Sequence, residues 1–239
     1  MNEQLQAKYT RALHFWNETF ALNEEGREKY LSTLNPETDC VELASSEKLY
    51  RILLENMAGC QKVLDYGCGR GWAGLSLKKA GCETVEAVDL SENAAESARF
   101  LAGLLGISHG YDAHGINRDW LSAVPAERYD GIVCSNVLDV IPTQVAREIL
   151  AQFRRIAKKG AVILIGMNYY MEPKDNPERK IVIEEGNQVM MDGILRMVTR
   201  TDEEWAAILG EYFTVEALDH FGWKNEQNER RRVFVLKQP

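Results

Sequence analysis

The first part of the chain shows a helical pattern of apolar and charged positions. The apolar positions there include Tyr9, Leu13, Trp16 and Phe20. Their spacing of three or four residues places them on one face of a helix. The Asn35-Pro36 pair interrupts the pattern, because proline disfavours helical backbone at the residue before it. We therefore expect two helical segments, at roughly residues 3 to 22 and 40 to 58, which form an amino-terminal cap.

After Gly59, short apolar runs of strand character alternate with helical stretches. The runs cover residues 63–66, 84–89, 111–117, 129–135 and 161–166. Strands that alternate with helices at this spacing need right-handed crossover connections, and these connections produce a parallel sheet.

Two of the helices between these runs have clear boundary signals. Ser91 is placed to cap the start of one helix, and Gly106 is a typical stop signal after it. A second helix is expected to start at Thr143 and to end at Gly160, where a pair of lysines meets the negative end of the helix dipole.

Between residues 167 and 200 the alternation stops. Three short strand-like runs follow one another there, separated by Gly186-Asn187 and Asp192-Gly193, two dipeptides that suit hairpin turns. This pattern predicts a small β insertion.

The last part of the chain predicts one helix and two strands. Thr201 and Glu204 have the spacing of a capping box, which opens a helix. Apolar runs at residues 212–218 and 231–237 are expected to pair antiparallel at one edge of the sheet.

Together the patterns predict an α/β fold with a doubly wound, mostly parallel seven-stranded sheet and helices on both of its faces. Residues 1–58 are the expected helical cap and residues 59–239 the main domain. Within the main domain, residues 167–200 are expected to form a lid rich in β-hairpins.

The connection after the first predicted strand carries the most informative chemistry. The strand ends at Asp65, and a turn with three alternate glycines leads into a helix. The glycines are Gly67, Gly69 and Gly71. Glycine lets the backbone turn tightly and lets a ligand approach the backbone amides.

A dinucleotide-binding turn has the pattern G-x-G-x-x-G, but here Trp72 stands where the third glycine is required. The second strand ends in Asp89, which is placed to accept hydrogen bonds from ribose hydroxyls.

With these residues the sequence resembles the class I S-adenosylmethionine-dependent methyltransferases. Four motifs occur in the family's order within roughly residues 59 to 166: VLDYGCGRG, VEAVDLS, YDGIVCSNVLDVIP and IAKKGAVILIG. Asp139 departs from the family pattern, in which many relatives carry histidine at that position. The sequence after the fourth strand is also not the N/D-P-P-Y/F/W motif, which argues against methylation of bases. The resemblance implies S-adenosylmethionine as the cofactor and S-adenosylhomocysteine as the product.

The resemblance also implies roles for individual residues in the glycine turn. The three glycines would shape the turn beside the methionine portion of the cofactor. Asp65 would either position this turn or bond the amino group of the cofactor, directly or through water.

Further along the chain, the resemblance places five more residues at the cofactor. Asp89 would hold the ribose hydroxyls and Leu90 would contact adenine. Asp119, within INRDWL, would meet the adenine amino group, and Trp120 would close the same side of the ring. Asn136 would lie near the methionine amino group and the reactive methyl.

Methyl transfer needs few protein groups, because a sulfonium is already an activated methyl donor. An in-line displacement mainly requires the nucleophile to be held about 3 to 3.5 Å from the methyl carbon. A general base is needed only when the nucleophile must lose a proton early. The sequence identifies no catalytic residue. The candidates are His14 as a general base and Tyr169 or Tyr170 as a residue that faces the acceptor.

Composition narrows the possible partners and location. The chain has 239 residues and a net charge of −8, which argues against nucleic acid as the main ligand. In such an acidic chain, Arg230, Arg231 and Arg232 are interpreted as a solvated edge strand.

The five cysteines show neither a disulfide framework nor metal-ligand spacing, so we expect no metal. Without a long apolar run or a secretory signal, the expectation is a cytoplasmic protein with no membrane partner.

The resulting hypothesis is methyl transfer to a small-molecule acceptor, because a cap and a lid that cover the site do not admit a folded partner. A methyltransferase acting on protein or RNA is the alternative, and it needs an open groove. A nicotinamide-dependent oxidoreductase is argued against by the glycine spacing, and a non-catalytic module that binds the cofactor stays open. Substitutions in the lid are expected to change acceptor choice and to spare cofactor affinity.

Overall fold

Helices and strands alternate along the chain, which the computed structural model describes over residues 3–239, without the side chains of residues 3–6 and 8. The helices are α1 (Glu3–Phe20), α2 (Glu24–Thr33), α3 (Glu47–Met57), α4 (Trp72–Lys79), α5 (Glu92–Leu104), α6 (Trp120–Ala123), α7 (Thr143–Ile156) and α8 (Asp202–Gly210). The strands are β1 (Lys62–Tyr66), β2 (Thr84–Asp89), β3 (Tyr111–Gly115), β4 (Tyr129–Ser135), β5 (Ala157–Met167), β6 (Ile181–Glu184), β7 (Gln188–Met191), β8 (Ile194–Val198), β9 (Thr214–Phe221) and β10 (Arg231–Lys237). Over the described range, no helix is long and apolar enough to cross a membrane.

A seven-stranded sheet has the strand order β3-β2-β1-β4-β5-β10-β9. Strands β1 to β5 pair in parallel, and β10 runs antiparallel to both β5 and β9. The mostly parallel sheet predicted from the alternating pattern is therefore confirmed. The order reverses between β1 and β4, and an open α/β sheet leaves a crevice at the carboxyl ends of the strands where this happens.

Apolar side chains alternate along the strands and cover both faces of the sheet. On one face, Leu64 and Ile163 pack in a core with residues of α7 and α8. On the other face, their neighbours Val63 and Leu164 pack with residues of α3, α4 and α5. The two cores confirm the doubly wound arrangement.

The amino-terminal region differs from the two helical segments that its pattern predicts. An additional helix, α2, follows α1, and the side chain of its N-cap Asn23 accepts a hydrogen bond from the amide of Gly26. No residue of α2 is buried, so no apolar stripe marks this helix in the sequence. The helix expected from residue 40 starts later, at α3, where the Ser46 hydroxyl accepts a hydrogen bond from the Leu49 amide.

Helix α7 ends before the lysine pair that was expected to close it. Ala157 already pairs with Tyr129 of β4, and Gly160 adopts a φ of +75° inside β5. The expected stop signal is therefore a distortion within a strand. Strand pairing is favoured over a longer helix here because it gives the backbone groups beside the core hydrogen-bond partners. Both lysine side chains stay exposed.

Strands β6, β7 and β8 form a separate antiparallel sheet, here called the insert sheet. Its three strands and its second turn follow the prediction, since Asp192 and Gly193 have φ values of 51° and 73° between β7 and β8. The first turn lies one residue earlier than expected, because the positive φ values of 50° and 79° fall on Glu185 and Gly186.

Strand β10 lies inside the sheet, between β5 and the edge strand β9. The antiparallel pair at one edge is confirmed, but the interpretation of the arginines as a solvated edge is wrong. Arg231 and Arg232 are 5% and 0% exposed. Arg232 donates to the carbonyl of Asn168 at 2.8 Å and to that of Arg200 at 2.6 Å. These acceptors compensate for the burial of its charge.

The turn between β1 and α4 combines a buried acid with a closely packed glycine. Asp65 is 3% exposed and accepts a hydrogen bond of 2.8 Å from the amide of Gly74, in the first turn of α4. Gly71 has a φ of +83° directly before α4. A Cβ atom on Gly71 would collide with the Tyr111 hydroxyl and lie 3.0 Å from the Cβ of Ala98. Position 71 therefore requires glycine for its conformation and for its space.

The substitution Gly71→Ala should lower the free energy of unfolding by about 1 to 3 kcal/mol more than Gly160→Ala, because overlap in a packed interior adds to the conformational cost. Gly160 also has a positive φ, but nothing lies within 4 Å of an added Cβ. Urea unfolding of both variants measures the difference. Equal losses would show that Tyr111 and Ala98 adjust to the methyl group.

Asp65 should make stability depend on pH, since burial raises the pKa of this carboxyl from 3.8 to about 7. The folded chain then binds one proton more than the unfolded chain between these two values, so its stability falls as the pH rises from about 4 to about 7. The isosteric change Asp65→Asn removes this proton. Between pH 5 and pH 8, the free energy of unfolding of the unmodified chain should therefore fall by a few kcal/mol relative to that of Asp65→Asn. Urea unfolding at both pH values measures this difference. If the free energies of unfolding of the two proteins changed equally with pH, the raised pKa of Asp65 would be contradicted.

Candidate active site

A cavity of about 340 Å³ lies at the carboxyl ends of β1, β2 and β4, where the strand order reverses. Its wall is mostly apolar, with a few polar groups from the strand ends. The lining residues are Tyr9, Leu13, Trp16, Phe20, Tyr66, Gly67, Asp89, Leu90, Ile116, Ser135, Asn136, Val137, Val140, Ile141, Ile149, Asn168 and Trp223. Of the residues that the resemblance assigns to the cofactor, four thus meet in one cavity: Gly67, Asp89, Leu90 and Asn136.

Asp89 is anchored at the end of β2 by two backbone amides. Its Oδ2 accepts a hydrogen bond from Gly69 at 3.0 Å, and its Oδ1 accepts one from Ser91 at 2.9 Å. Burial raises the pKa of this carboxyl, and the hydrogen bonds from Ser91 and Gly69 oppose the rise. A carboxylate offers about four lone-pair positions, so Asp89 can hold the glycine turn and still accept hydrogen bonds from a ligand.

The glycine turn is enclosed by neighbouring segments. Gly67 and Gly69 have φ values of +69° and +53°. A Cβ on Gly67 would collide with Val137, and one on Gly69 would lie 3.0 Å from the ring of Phe20. The turn therefore packs between α1 and the segment that follows β4. Gly71, which packs against Tyr111, is not among the cavity-lining residues.

Asn136 follows β4 in an unusual backbone conformation, with a φ of +59°. Its amide donates to the carbonyl of Gly166 at 2.8 Å, and the Ser135 hydroxyl lies 3.5 Å from its Oδ1. Strained backbone of this kind concentrates at ligand sites. Asn136 and Leu90 line the same cavity.

Asp119 and Trp120 lie outside this cavity. Asp119 is exposed and lines a second cavity of about 240 Å³, which shares Tyr9 and Tyr66 with the larger one. Trp120 packs edge-on against His114, with 5.8 Å between the ring centroids, and lines neither of the two cavities. The structure thus separates these two residues from the other cofactor candidates.

Tyr9 contributes from the cap to both cavities, a position that the sequence pattern does not reveal. Its side chain is 2% exposed, and the guanidinium of Arg118 lies 5.0 Å from its ring centroid. Burial raises the pKa of the phenol, although Arg118 opposes the rise. Helical spacing identifies the apolar face of α1 but not what this face covers, so the sequence does not show that Tyr9 and Trp16 line the cavity.

The three candidate catalytic residues, a base and two tyrosines expected near the acceptor, do not line the cavity. His14 is exposed in an open groove between α1 and the Asp192 turn. Tyr169 lies 4.7 Å from the guanidinium of Arg230, measured from its ring centroid. Tyr170 is 44% exposed. The structure brings none of these three to the site.

Asn168 and Trp223 complete the wall from the second half of the chain. The Nδ2 of Asn168 donates to Asp139 at 3.0 Å, and its Oδ1 accepts a hydrogen bond from Arg231. Arg231 also donates to both carboxylate oxygens of Glu226, and its guanidinium stacks 3.3 Å from the centroid of the Trp223 ring. The Asn168 amide is therefore already engaged, and Arg231 holds the Trp223 ring at the cavity wall.

Asp139, which replaces the histidine of many relatives, belongs to this supporting network. It is fully buried, and burial raises the pKa of its carboxyl. Its Oδ2 also accepts a hydrogen bond of 2.7 Å from the amide of Asn168. Asp139 is not among the cavity-lining residues.

Several known proteins are similar to part of this chain. The family described as "Methyltransferase domain" matches residues 1–178. A ubiquinone biosynthesis O-methyltransferase from Hahella chejuensis is 27% identical over 61% of this chain and 55% of its own length. A ribosomal RNA large subunit methyltransferase G from Aeromonas hydrophila is 29% identical over 51% of this chain and 34% of its own length. A ribosomal protein L11 methyltransferase from Thiobacillus denitrificans is 32% identical over 49% of this chain and 36% of its own length. The chain thus matches about a third to a half of each of these relatives.

Solved structures support the same fold. The PH0226 protein from Pyrococcus horikoshii OT3 superposes with a TM-score of 0.67 at 18% identity, covering 88% of this chain and 99% of that one. An S-adenosylmethionine-dependent methyltransferase from Mesorhizobium loti superposes with a TM-score of 0.59 at 19% identity, covering 82% of this chain and 99% of that one. Since the family match spans 178 of the 239 residues, the chain belongs to the class I S-adenosylmethionine-dependent methyltransferase family.

Proposed function

We propose that this chain transfers a methyl group from S-adenosylmethionine to a small-molecule acceptor by in-line displacement and releases S-adenosylhomocysteine. The observation that carries the proposal is the single cavity in which the glycine turn and Asp89 meet an apolar wall supplied by α1. The lining residues combine groups suited to a nucleoside with surface suited to an apolar acceptor.

The residues of the cavity fit the proposed cofactor in chemical character. Asp89 supplies acceptors for ribose hydroxyls, Leu90 an apolar contact for adenine, and Asn136 an amide for the amino acid portion. Gly67 presents its backbone to the cavity, and the absence of a side chain there lets Val137 pack against the glycine turn. The hydrogen bond from Gly74 to Asp65 supports a positioning role for Asp65 over direct contact with the cofactor.

Two proposed cofactor contacts have weaker structural support. Asp119 opens onto the smaller cavity, which adjoins the larger one through Tyr9 and Tyr66, and this supports a place for Asp119 at the adenine edge. Trp120 packs on His114, which supports a role in shaping the segment that carries Asp119.

When bound, the cofactor supplies an activated methyl group, and the chain has to orient the acceptor and exclude water. The titratable side chains among the lining residues are Asp89, Tyr9 and Tyr66. Backbone amides anchor Asp89, and burial raises the pKa of both phenols. The phenols therefore stay protonated and act as hydrogen-bond donors. This arrangement supports transfer by positioning in a dry site, with no general base.

The cap limits the size of the acceptor. Leu13, Trp16 and Phe20 of α1 line the cavity together with Trp223, so a ligand here contacts mainly aromatic and aliphatic surface. Within the described residues, the indole N–H of Trp16 is buried without a hydrogen-bond partner, so it can donate to a polar atom of the acceptor. An apolar or aromatic small molecule with one polar group fits this wall, and the similarity to a ubiquinone biosynthesis O-methyltransferase supports the same class.

A methyltransferase that acts on RNA or protein is the second candidate, because relatives with these names are also similar to the chain. Two observations weigh against it. The cavity lies under α1, and two arginines of the basic run at 230–232 are buried within the sheet and do not offer a surface to phosphates. A nicotinamide-dependent oxidoreductase has less support still, since Trp72 replaces the third glycine of a dinucleotide turn. A cytoplasmic location remains a prediction from the sequence.

S-adenosylhomocysteine at about 100 times its dissociation constant should stabilise the fold by roughly 2.7 kcal/mol. For a chain of this size the gain corresponds to a rise in melting temperature of about 5 to 10 °C. Thermal unfolding with the ligand measures the shift, and NADH should produce none.

The variant Asp89→Ala should lose most of this shift, because it lacks the proposed acceptors for the ribose. Asp112→Ala is the matched control, since the Asp112 side chain is 78% exposed on the neighbouring strand β3. Each shift is compared with the melting temperature of the same variant without ligand. An unchanged shift for Asp89→Ala, or no shift for the unmodified chain, would overturn the cofactor assignment.

A further inference from the structure

The insert sheet packs on the cap and does not reach the cavity. Strand β8 lies against α1, and no residue between 171 and 200 is among the cavity-lining residues. The insert sheet is therefore placed to influence a bound ligand through α1.

One side chain of the insert sheet makes a specific contact with α1. The guanidinium of Arg196, in β8, lies 4.1 Å from the ring centroid of Phe15 and 5.8 Å from that of Trp16. Both distances are within the range of a cation–π interaction. Phe15 faces away from the cavity, in the groove that also contains His14, whereas Trp16 lines the cavity.

Aromatic contacts continue from this point to the glycine turn. The rings of Phe15 and Trp16 pack edge-on at 5.1 Å, and those of Trp16 and Phe20 stack at 6.2 Å. The Phe20 ring then reaches Gly69, where it lies 3.0 Å from the position of a Cβ atom. Arg196, Phe15, Trp16, Phe20 and Gly69 thus form one continuous series of contacts, here called the aromatic ladder.

Hydrogen bonds attach the same end of α1 to the segments that follow β1 and β2. Arg70, in the glycine turn, donates to the carbonyl of Thr19 at 3.3 Å. The Ser91 hydroxyl donates to Asn17 at 2.8 Å, next to the amide that anchors Asp89. A ligand held by the glycine turn and Asp89 therefore lies beneath this end of α1.

We infer that Arg196 is a positioning residue that holds α1 closed over the cofactor through the aromatic ladder. The inference rests on the proposed cofactor site and revises the expectation that the insert affects acceptor choice alone. Arg196 touches neither the cavity nor the glycine turn, so it acts on the rate at which the cofactor leaves.

Stopped-flow tryptophan fluorescence, with S-adenosylhomocysteine displaced by excess S-adenosylmethionine, measures this rate. Arg196→Ala should raise the dissociation rate constant about three- to tenfold, as expected from the loss of two exposed cation–π contacts. Arg196→Lys, which keeps the charge without the planar group, should give an intermediate rate. The control is Arg179→Ala, in the exposed turn before β6, which should leave the rate unchanged.

A double-mutant cycle tests whether Arg196 acts through the aromatic ladder or through the general stability of the insert sheet. Phe15→Leu should also speed release, because it removes the ring on which Arg196 stacks. The double variant should release the ligand no faster than the more affected single variant. Additive effects, or an equal increase for Arg179→Ala, would overturn the inference.

Hydrogen exchange of the ligand-free protein tests the closure without the cofactor. The amides of α1 should lose protection in Arg196→Ala and keep it in Arg179→Ala, while the protection of β1 and β4 stays the same in both. Unchanged protection of α1 would overturn the inference even where the cofactor binds as proposed. Failure of the unmodified chain to bind S-adenosylhomocysteine would instead overturn the proposed function, and the exchange experiment would still decide the closure of α1.

Discussion

The shape of the candidate site depends on two aspartate side chains that accept hydrogen bonds from the backbone. Asp65 accepts from Gly74 and thereby sets where α4 begins. Asp89, one strand away, accepts from Gly69 within the same connection. The glycine turn is thus held from both sides by acids on neighbouring parallel strands. Because amides of the protein itself are the donors, the turn keeps its form without a ligand, and a ligand meets a surface that is already arranged.

The parts of the site that sequence patterns reveal are those fixed by local position. Asp89 is the last residue of β2, and Gly67, Leu90 and Asn136 each stand directly after a strand of the parallel sheet. Once alternating strands and helices predict such a sheet, its topology brings these positions together whatever lies elsewhere in the chain. The same reasoning predicts the seven strands and their orientation, because it depends on periodicity and crossover connections alone.

The parts that the sequence does not reveal depend on contacts between distant segments. The face of α1 with Tyr9 is visible as a helical stripe, but only packing places it over the strand ends. Arg232 is buried because carbonyls of Asn168 and Arg200 lie beside it, and nothing in three consecutive arginines indicates such partners. Trp223 reaches the cavity wall because Arg231 and Glu226 hold it there. Helix α2 has no buried residue and hence no pattern to detect.

The antiparallel strand β10 has a consequence for how the molecule is made. Residues 231–237 pair with β5, so β5 leaves the ribosome well before its partner is synthesised. In that interval the strands of the glycine turn already have their neighbours, while β5 presents an open edge to other nascent chains. The Trp223 ring takes up its place only after β10 closes that edge, because Arg231 of β10 stacks on it. The cavity wall beside the glycine turn and Asp89 is thus assembled early in translation, and the wall at Trp223 is added as synthesis ends.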